Sequence, residues 1–250
     1  MFDSFRRCFT KKEKNMFGLD SPIKIKVLQN FRCFKEGQEK TLNFVDASSV
    51  FLYMVGRNGS GKSTLLDAIR CIKNSSKKKA LALSKAEFDG VFEITGLEQF
   101  NKVFHLSATI DDALSMWNSC DAVAFVDNGG FGQSHISHGQ RSAAQLGRFL
   151  DEVKNNITPE DHGKILLVLD EIDKGLDLRY QIGFTTLIKN ICLRHGAVAI
   201  IVSHNPICWM TADKVYSLED DKIMNSSEYI KKSANVDIKI DIPEDWNVFK

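Results

Sequence analysis

Between Val50 and Ile72 the chain reads as an apolar run, a glycine-rich loop and a helix, and no other feature restricts its fold so tightly. Val50–Val55 (VFLYMV) is near-continuously apolar and halts at Gly56, as a strand buried on both faces of a parallel sheet does. Gly56-Arg57-Asn58-Gly59-Ser60-Gly61-Lys62-Ser63-Thr64 then satisfies GxxxxGK[ST]. Thr64–Ile72 follows with Leu65, Leu66, Ala68, Ile69 and Ile72 at helical spacing. Glycines let the backbone curl until successive N–H groups point inward as an anion nest, and the helix behind adds its positive end. Lys62 is then placed to reach the β- and γ-phosphates, the Ser63 hydroxyl to ligate Mg²⁺ and Thr64 to touch the α-phosphate. The loop as a whole predicts binding of ATP with Mg²⁺.

A second apolar run, Ile165–Leu169, ends in Asp170-Glu171. With a phosphate loop upstream, Asp170 is expected to hold Mg²⁺ from the strand tip and Glu171 to polarise the attacking water as general base, a role worth ~10²–10⁴-fold in rate. Val198–Val202 is a third buried run, followed by Ser203-His204. Arg179–Arg194 reads as a helix closed by Gly196. Ile23–Leu28 and Thr41–Val45 read as a hairpin, Phe88–Ile94 and Val103–Ala108 as strands, Ile110–Trp117 as a short helix, and Val215–Leu218 with the turn at Asp220–Asp221 as a terminal hairpin. Asp127–Gln133 is a glycine-rich loop leading into a helix with Ala143, Leu146, Phe149, Leu150 and Val153 on one side. Strands alternating with helices imply an α/β fold with a mainly parallel central sheet, whose ligands gather at the carboxyl ends of the strands. Every motif above falls at such an end.

Composition narrows the function classes. A length of 250 residues with 43% hydrophobic and 26% charged content suits one α/β domain with a small added lobe. The formal net charge of +1 gives no global case for nucleic acid or acidic lipid, and Lys73–Lys79 (KNSSKKK) reads as a solvated basic loop. The six cysteines are scattered without a CxxC pair, which fits reduced thiols in a cytoplasmic protein and not a zinc ribbon. No apolar run reaches the ~18 residues of a membrane span, and the charged first residues lack the apolar core of a secretory signal.

Taken together, these residues resemble the ABC ATPases. Ser137-His138-Gly139-Gln140 is similar to that family's signature loop and opens a helix as the signature does; Gly175-Leu176-Asp177 is similar to the D-loop, and His204 to the switch histidine. The match runs from about Ile23 to Leu218. It implies a P-loop NTPase fold: an ABC ATPase head with an N-terminal antiparallel β-subdomain and a small helical lobe. It also implies a head-to-tail homodimer sandwiching two ATP molecules, with Ser137, Gly139 and Gln140 contacting the partner's nucleotide and His204 sensing the γ-phosphate. Two departures stand out: His138 occupies a position where transporter ATPases usually carry glycine, and no glutamine ends the Val103–Ala108 strand where a Q-loop is expected. Gln99 precedes that strand.

Asn30-Phe31-Arg32-Cys33-Phe34 and the hairpin around it resemble the leading segment of SMC, RecF and OLD-like ATPases, which implies a nucleotide contact for Arg32. Only about 75 residues separate Lys62 from Ser137, too few for the coiled-coil arms of SMC proteins. The expected organisation is a loosely ordered tail over 1–21, the ATPase domain over 22–225 with the helical lobe at about 73–155, and a C-terminal extension over 226–250. The resemblance implies a switch ATPase in DNA-related or genome-defence work, partnered by an effector or DNA-processing protein or by DNA itself. The alternatives are a slow regulatory scaffold holding an effector or toxin, and a transporter ATP-binding subunit.

Overall fold

The computed structural model describes residues 21–44, 51–73, 87–107, 138–174, 176–212 and 214–234, of which 138–145, 207 and 210 by backbone alone. Ser137, the expected helix Ile110–Trp117, the glycine loop at Asp127–Gln133 and most of the basic stretch at Lys73–Lys79 lie outside these residues, as do the tail over 1–20 and residues 235–250.

Six strands form the central sheet: β3 (Phe51–Val55), β5 (Lys102–Ser107), β6 (Ile165–Asp170), β7 (Val198–Val202), β8 (Lys214–Ser217) and β9 (Lys222–Asn225). Their spatial order is β5-β6-β7-β3-β8-β9, parallel except for the antiparallel β8–β9 hairpin. The apolar runs are central because a strand covered on both faces needs no polar side: β3, β6 and β7 are buried at every position. A smaller antiparallel sheet has the order β2-β1-β4, from β1 (Ile23–Val27), β2 (Glu39–Leu42) and β4 (Phe92–Thr95). Its β1 alternates buried Ile23, Ile25 and Val27 with exposed lysines, the period-two pattern of a half-covered sheet.

Alternate residues of the large sheet feed two cores. Leu52, Met54, Leu166, Val168 and Ile200 pack with helix α1 (Lys62–Lys73) and the small sheet. Tyr53, Val55, Leu167, Leu169 and Ile201 pack on the other face with α2 (His138–Asn156), α3 (Leu178–His195), α4 (Pro206–Met210) and α5 (Ser226–Ala234), through Phe149, Phe184, Ile188, Trp209 and Tyr229. Helix α3 starts where Asp177 accepts from the N–H groups of Arg179 and Tyr180, and it ends at Gly196 in the left-handed region (φ 64°).

The strand expected over Phe88–Ile94 is shorter and later. Residues 87–88 are helical, Gly90 turns the chain at φ 71°, and β4 begins only at Phe92. Phe88 is buried against the rings of Phe31 and Phe92, so its hydrophobicity serves a ring cluster and not a ladder. The residues after 225 open as helix α5, with Tyr229 edge-on to Trp209.

Candidate active site

Adjacency of β6, β7 and β3 brings the residues after Val55, Asp170 and Val202 to one edge of the sheet. There the loop from Gly56 to Gly61 curls back over the start of α1. Gly56, Gly59 and Gly61 have φ of 154°, 78° and 98°, the last two squarely in the region side chains avoid. At Gly61 space is short as well, because a Cβ would lie 2.4 Å from the Phe34 ring and 2.7 Å from Cys33 Sγ. The small sheet's leading segment is therefore pressed against the phosphate loop.

Lys62 is buried and donates to the carbonyls of Gly56 and Arg57, both at 2.9 Å, so its ammonium spans the loop's mouth. Burial lowers its pKa, and the charges of Glu171 and Asp170 oppose the shift. Asp170 is buried and pushed up to about 6 by that burial, against a hydrogen bond from the Ser63 hydroxyl. Its Oδ1 has no hydrogen-bond partner, and neither does the buried Ser60 Oγ. A buried carboxylate oxygen without a partner beside a serine hydroxyl is the donor set an oxygen-seeking divalent cation fits.

Glu171 adopts φ 51°, uncommon for a residue with a Cβ, and its N–H donates to the Val202 carbonyl at 3.0 Å. This twist turns its carboxylate to His204 Nε2, 3.1 Å away, with Lys174 Nζ 3.8 Å from the other oxygen. A cavity of about 330 Å³ is lined by Arg32, Cys33, Asn58, Gly59, Gly61, Lys62, Ser63, Thr64, Glu171 and His204.

Of the residues singled out from sequence, Arg32, Asn58, Gly59, Gly61, Lys62, Ser63, Thr64, Glu171 and His204 thus meet in one cavity, with Asp170 behind Ser63. Arg32 (φ 53°) donates to Thr64 Oγ1 at 3.2 Å, pairs with Glu87 and lies 5.0 Å from the Phe31 ring centre. Arg57 is turned away: its N–H donates to Glu219 Oε1 at 2.8 Å and its guanidinium faces the same carboxylate. Gly139 and Gln140 fall in the first turn of α2, and Ser137 lies outside the described residues. Gln99 cannot act as a Q-loop residue, since it is bonded to the Ser21 and Gly96 carbonyls beyond the amino end of β5, away from the phosphate loop. Glu219, which ties the loop to the end of β8, was not legible in the sequence. Its partner is 162 residues away and no local pattern marks it.

The glycine cradle, the spanning lysine, and the carboxylate pair split between a metal-type pocket and a histidine belong to one kind of chemistry. The chain has the α/β fold of a P-loop NTPase, and it hydrolyses ATP. It uses ATP with Mg²⁺. A family model described as an AAA domain matches residues 27–111 of this ATPase, from the small sheet through the phosphate loop to β5. Among curated relatives, the aliphatic sulfonates import ATP-binding protein SsuB of Pectobacterium atrosepticum is 28% identical over 226 residues, covering 83% of the chain and 75% of the relative. The protein of the same name from Pseudomonas putida is 27% identical over 200 residues, with 75% and 70% covered. A dimeric bacterial ABC transporter cassette superposes with a TM-score of 0.49 at 17% identity over 82% of this chain and 98% of that one. No helix among the described residues is long and apolar enough to cross a membrane.

Proposed function

We propose that the ATPase works as a nucleotide-driven dimer, in which two copies close over two ATP molecules and hydrolysis reopens them. The observation that carries this reading is the Glu171–His204 pair, which faces both the nucleotide cavity and a second, larger cavity beside it. Such a base is half enclosed until another surface covers it. The signature-like residues give that surface a source. Helix α2, opened by residues like the family's signature, packs on the opposite face of the sheet from α1, so the two helix starts serve different nucleotides.

In this reading Lys62 grips the β- and γ-phosphates, the loop N–H groups cradle the triphosphate, and Ser63 and Asp170 hold Mg²⁺. Bound Mg²⁺ supplies charge neutralisation on the phosphate oxygens. Glu171 accepts the proton of the attacking water, and His204 orients Glu171 and the γ-phosphate. Ser137, Gly139 and Gln140 reach the other copy's nucleotide. ATP favours the closed state only if it contacts both copies, which makes closure depend on an intact triphosphate.

The curated relatives are named as ATP-binding proteins of sulfonate import, and this favours an importer's ATP-binding subunit seated on membrane partners as the setting. A second reading, an SMC/RecF/OLD-like switch acting with DNA or an effector, draws on Arg32, whose guanidinium is held at Thr64 on the nucleotide cavity as that branch's leading segment implies.

The dimer is tested with Glu171→Gln protein by size-exclusion chromatography with light scattering. ATP and Mg²⁺ should convert monomer to dimer, and ADP should not; a monomer at saturating ATP refutes the reading. Co-sedimentation with membranes in cell extracts favours the importer setting, whereas DNA binding that weakens steeply with salt favours the second.

A further inference from the structure

Beside the nucleotide cavity, the residues after β6 and β7 carry a set of polar side chains that phosphate chemistry does not use. Asp173 is buried, and its Oδ2 accepts from the Ser203 hydroxyl at 2.8 Å. The same Ser203 oxygen accepts from the Asn205 N–H at 3.0 Å, and the Ser203 carbonyl accepts from the Trp209 indole at 2.8 Å. His204 therefore sits between two residues that are tied down. From Asn205 the chain of bonds continues outward. Asn205 Nδ2 donates to Gln181 Oε1 at 2.6 Å, and Gln181 Nε2 donates to the Leu176 carbonyl at 2.8 Å. The polarity is forced, because a carbonyl only accepts: the Gln181 amide must turn its NH₂ to Leu176 and its oxygen to Asn205. Asp173, Gln181 and Asn205 line a cavity of about 790 Å³ that shares Asn58, Glu171 and His204 with the nucleotide cavity.

We infer that Gln181 is a positioning residue for His204. It ties the Leu176–Asp177 segment, downstream of Glu171, to the Ser203–Asn205 loop that carries His204, and so fixes the separation of the His204 imidazole from the Glu171 carboxylate. That separation is 3.1 Å between a ring nitrogen and a carboxylate oxygen, and a shift of about 1 Å takes the two out of contact. Gln181 is suited to the task because it carries little of the helix's packing. Helix α3 is anchored by Phe184, Ile188 and Cys192, and the backbone N–H of Gln181 is already satisfied by the Asp177 carbonyl. Its side chain reads the position of that segment and relays it to the loop. Any partner surface that displaces Leu176–Asp177 acts on the general base through this amide.

The inference rests on the proposed roles of Glu171 and His204, so its test needs one readout that does not require turnover. Gln181→Leu keeps the side chain's size and removes both bonds. Its ATP turnover should fall about tenfold to about a hundredfold, while nucleotide affinity and the urea midpoint stay near wild type. In a His204→Ala background the same substitution should change turnover by less than about twofold, since its effect passes through that ring. In nucleotide-free protein the His204 Cε1–H resonance should move on Gln181→Leu. Three results would each overturn the inference: an unmoved resonance, a full further loss in the His204→Ala background, or affinity and stability falling in step with turnover. A wild-type protein without turnover whose His204 resonance still moves would sink the catalytic reading and leave the positioning in place.

Discussion

Replacing Asp170 by asparagine should stabilise the nucleotide-free protein while disabling it. The carboxyl is buried, one oxygen has no partner, and its pKa is raised from 3.8 to about 6 by that burial. A group that ionises near 3.8 in the unfolded chain and near 6 in the fold costs the ionised native state about 3 kcal/mol. An asparagine has no charge to desolvate and can still accept from Ser63, but its NH₂ must find an acceptor, which returns about 1 kcal/mol. The net gain is about 2 kcal/mol at neutral pH. The sign follows from the protons bound. Below about pH 3.8 both states of the wild type are protonated there and the variant has no advantage; the advantage opens between about pH 4 and 6 and stays constant above. Urea unfolding at pH 4.5 and 7.5 checks this. With a slope of about 2–3 kcal/mol/M, the variant's midpoint should exceed the wild type's by about 0.7–1 M at pH 7.5 and by much less at pH 4.5. Stabilisation by Mg²⁺ with nucleotide should shrink in the variant. An asparagine variant no more stable than wild type at pH 7.5 would refute the claim that a desolvated charge is stored here for a metal.

Gly61→Ala should cost about 2–5 kcal/mol in unfolding free energy, combining left-handed strain with the collision at Phe34, whereas Gly59→Ala, with open space around it, should cost only about 1–2 kcal/mol; equal costs would contradict the packing of the leading segment on the loop. Glu171→Gln should lower ATP turnover by ~10²–10⁴-fold with nucleotide affinity unchanged, measured by phosphate release and titration of a fluorescent nucleotide. Asp177→Ala removes a cap that accepts two backbone N–H groups and should lower stability by about 1 kcal/mol in the same urea assay.

The parts of the fold legible in the sequence are those whose cause is local. The apolar runs of Phe51–Val55, Ile165–Leu169 and Val198–Val202 are each covered on both faces, and each lies in a central strand. Gly196 ended α3 as expected because a left-handed residue favours glycine. Phe88–Ile94 does not form one strand, because a turn at Asp89–Gly90 splits the apolar stretch between a ring cluster and a ladder. At the site, the phosphate loop and the carboxylate pair could be read because their spacing is short. The clasp around His204 could not: Asp173 meets Ser203 across 30 residues and Gln181 meets Asn205 across 24, and nothing in either neighbourhood announces the other. Arg32 was found only through the resemblance of its segment to a known one, and its stacking on Phe31 and Phe88 is a tertiary fact.

The central claim is that the backbone from Gly56 to Thr64, closed by Lys62, grips a triphosphate with its magnesium. Calorimetric titration of a non-hydrolysable ATP analogue into wild-type and Lys62→Ala protein, each with Mg²⁺ and with EDTA, tests it most directly. The account predicts saturable, magnesium-dependent binding to the wild type, weakened at least about tenfold when the ammonium is removed, a loss of about 1.4 kcal/mol or more. Binding of equal strength to both proteins, or none to the wild type, would contradict it.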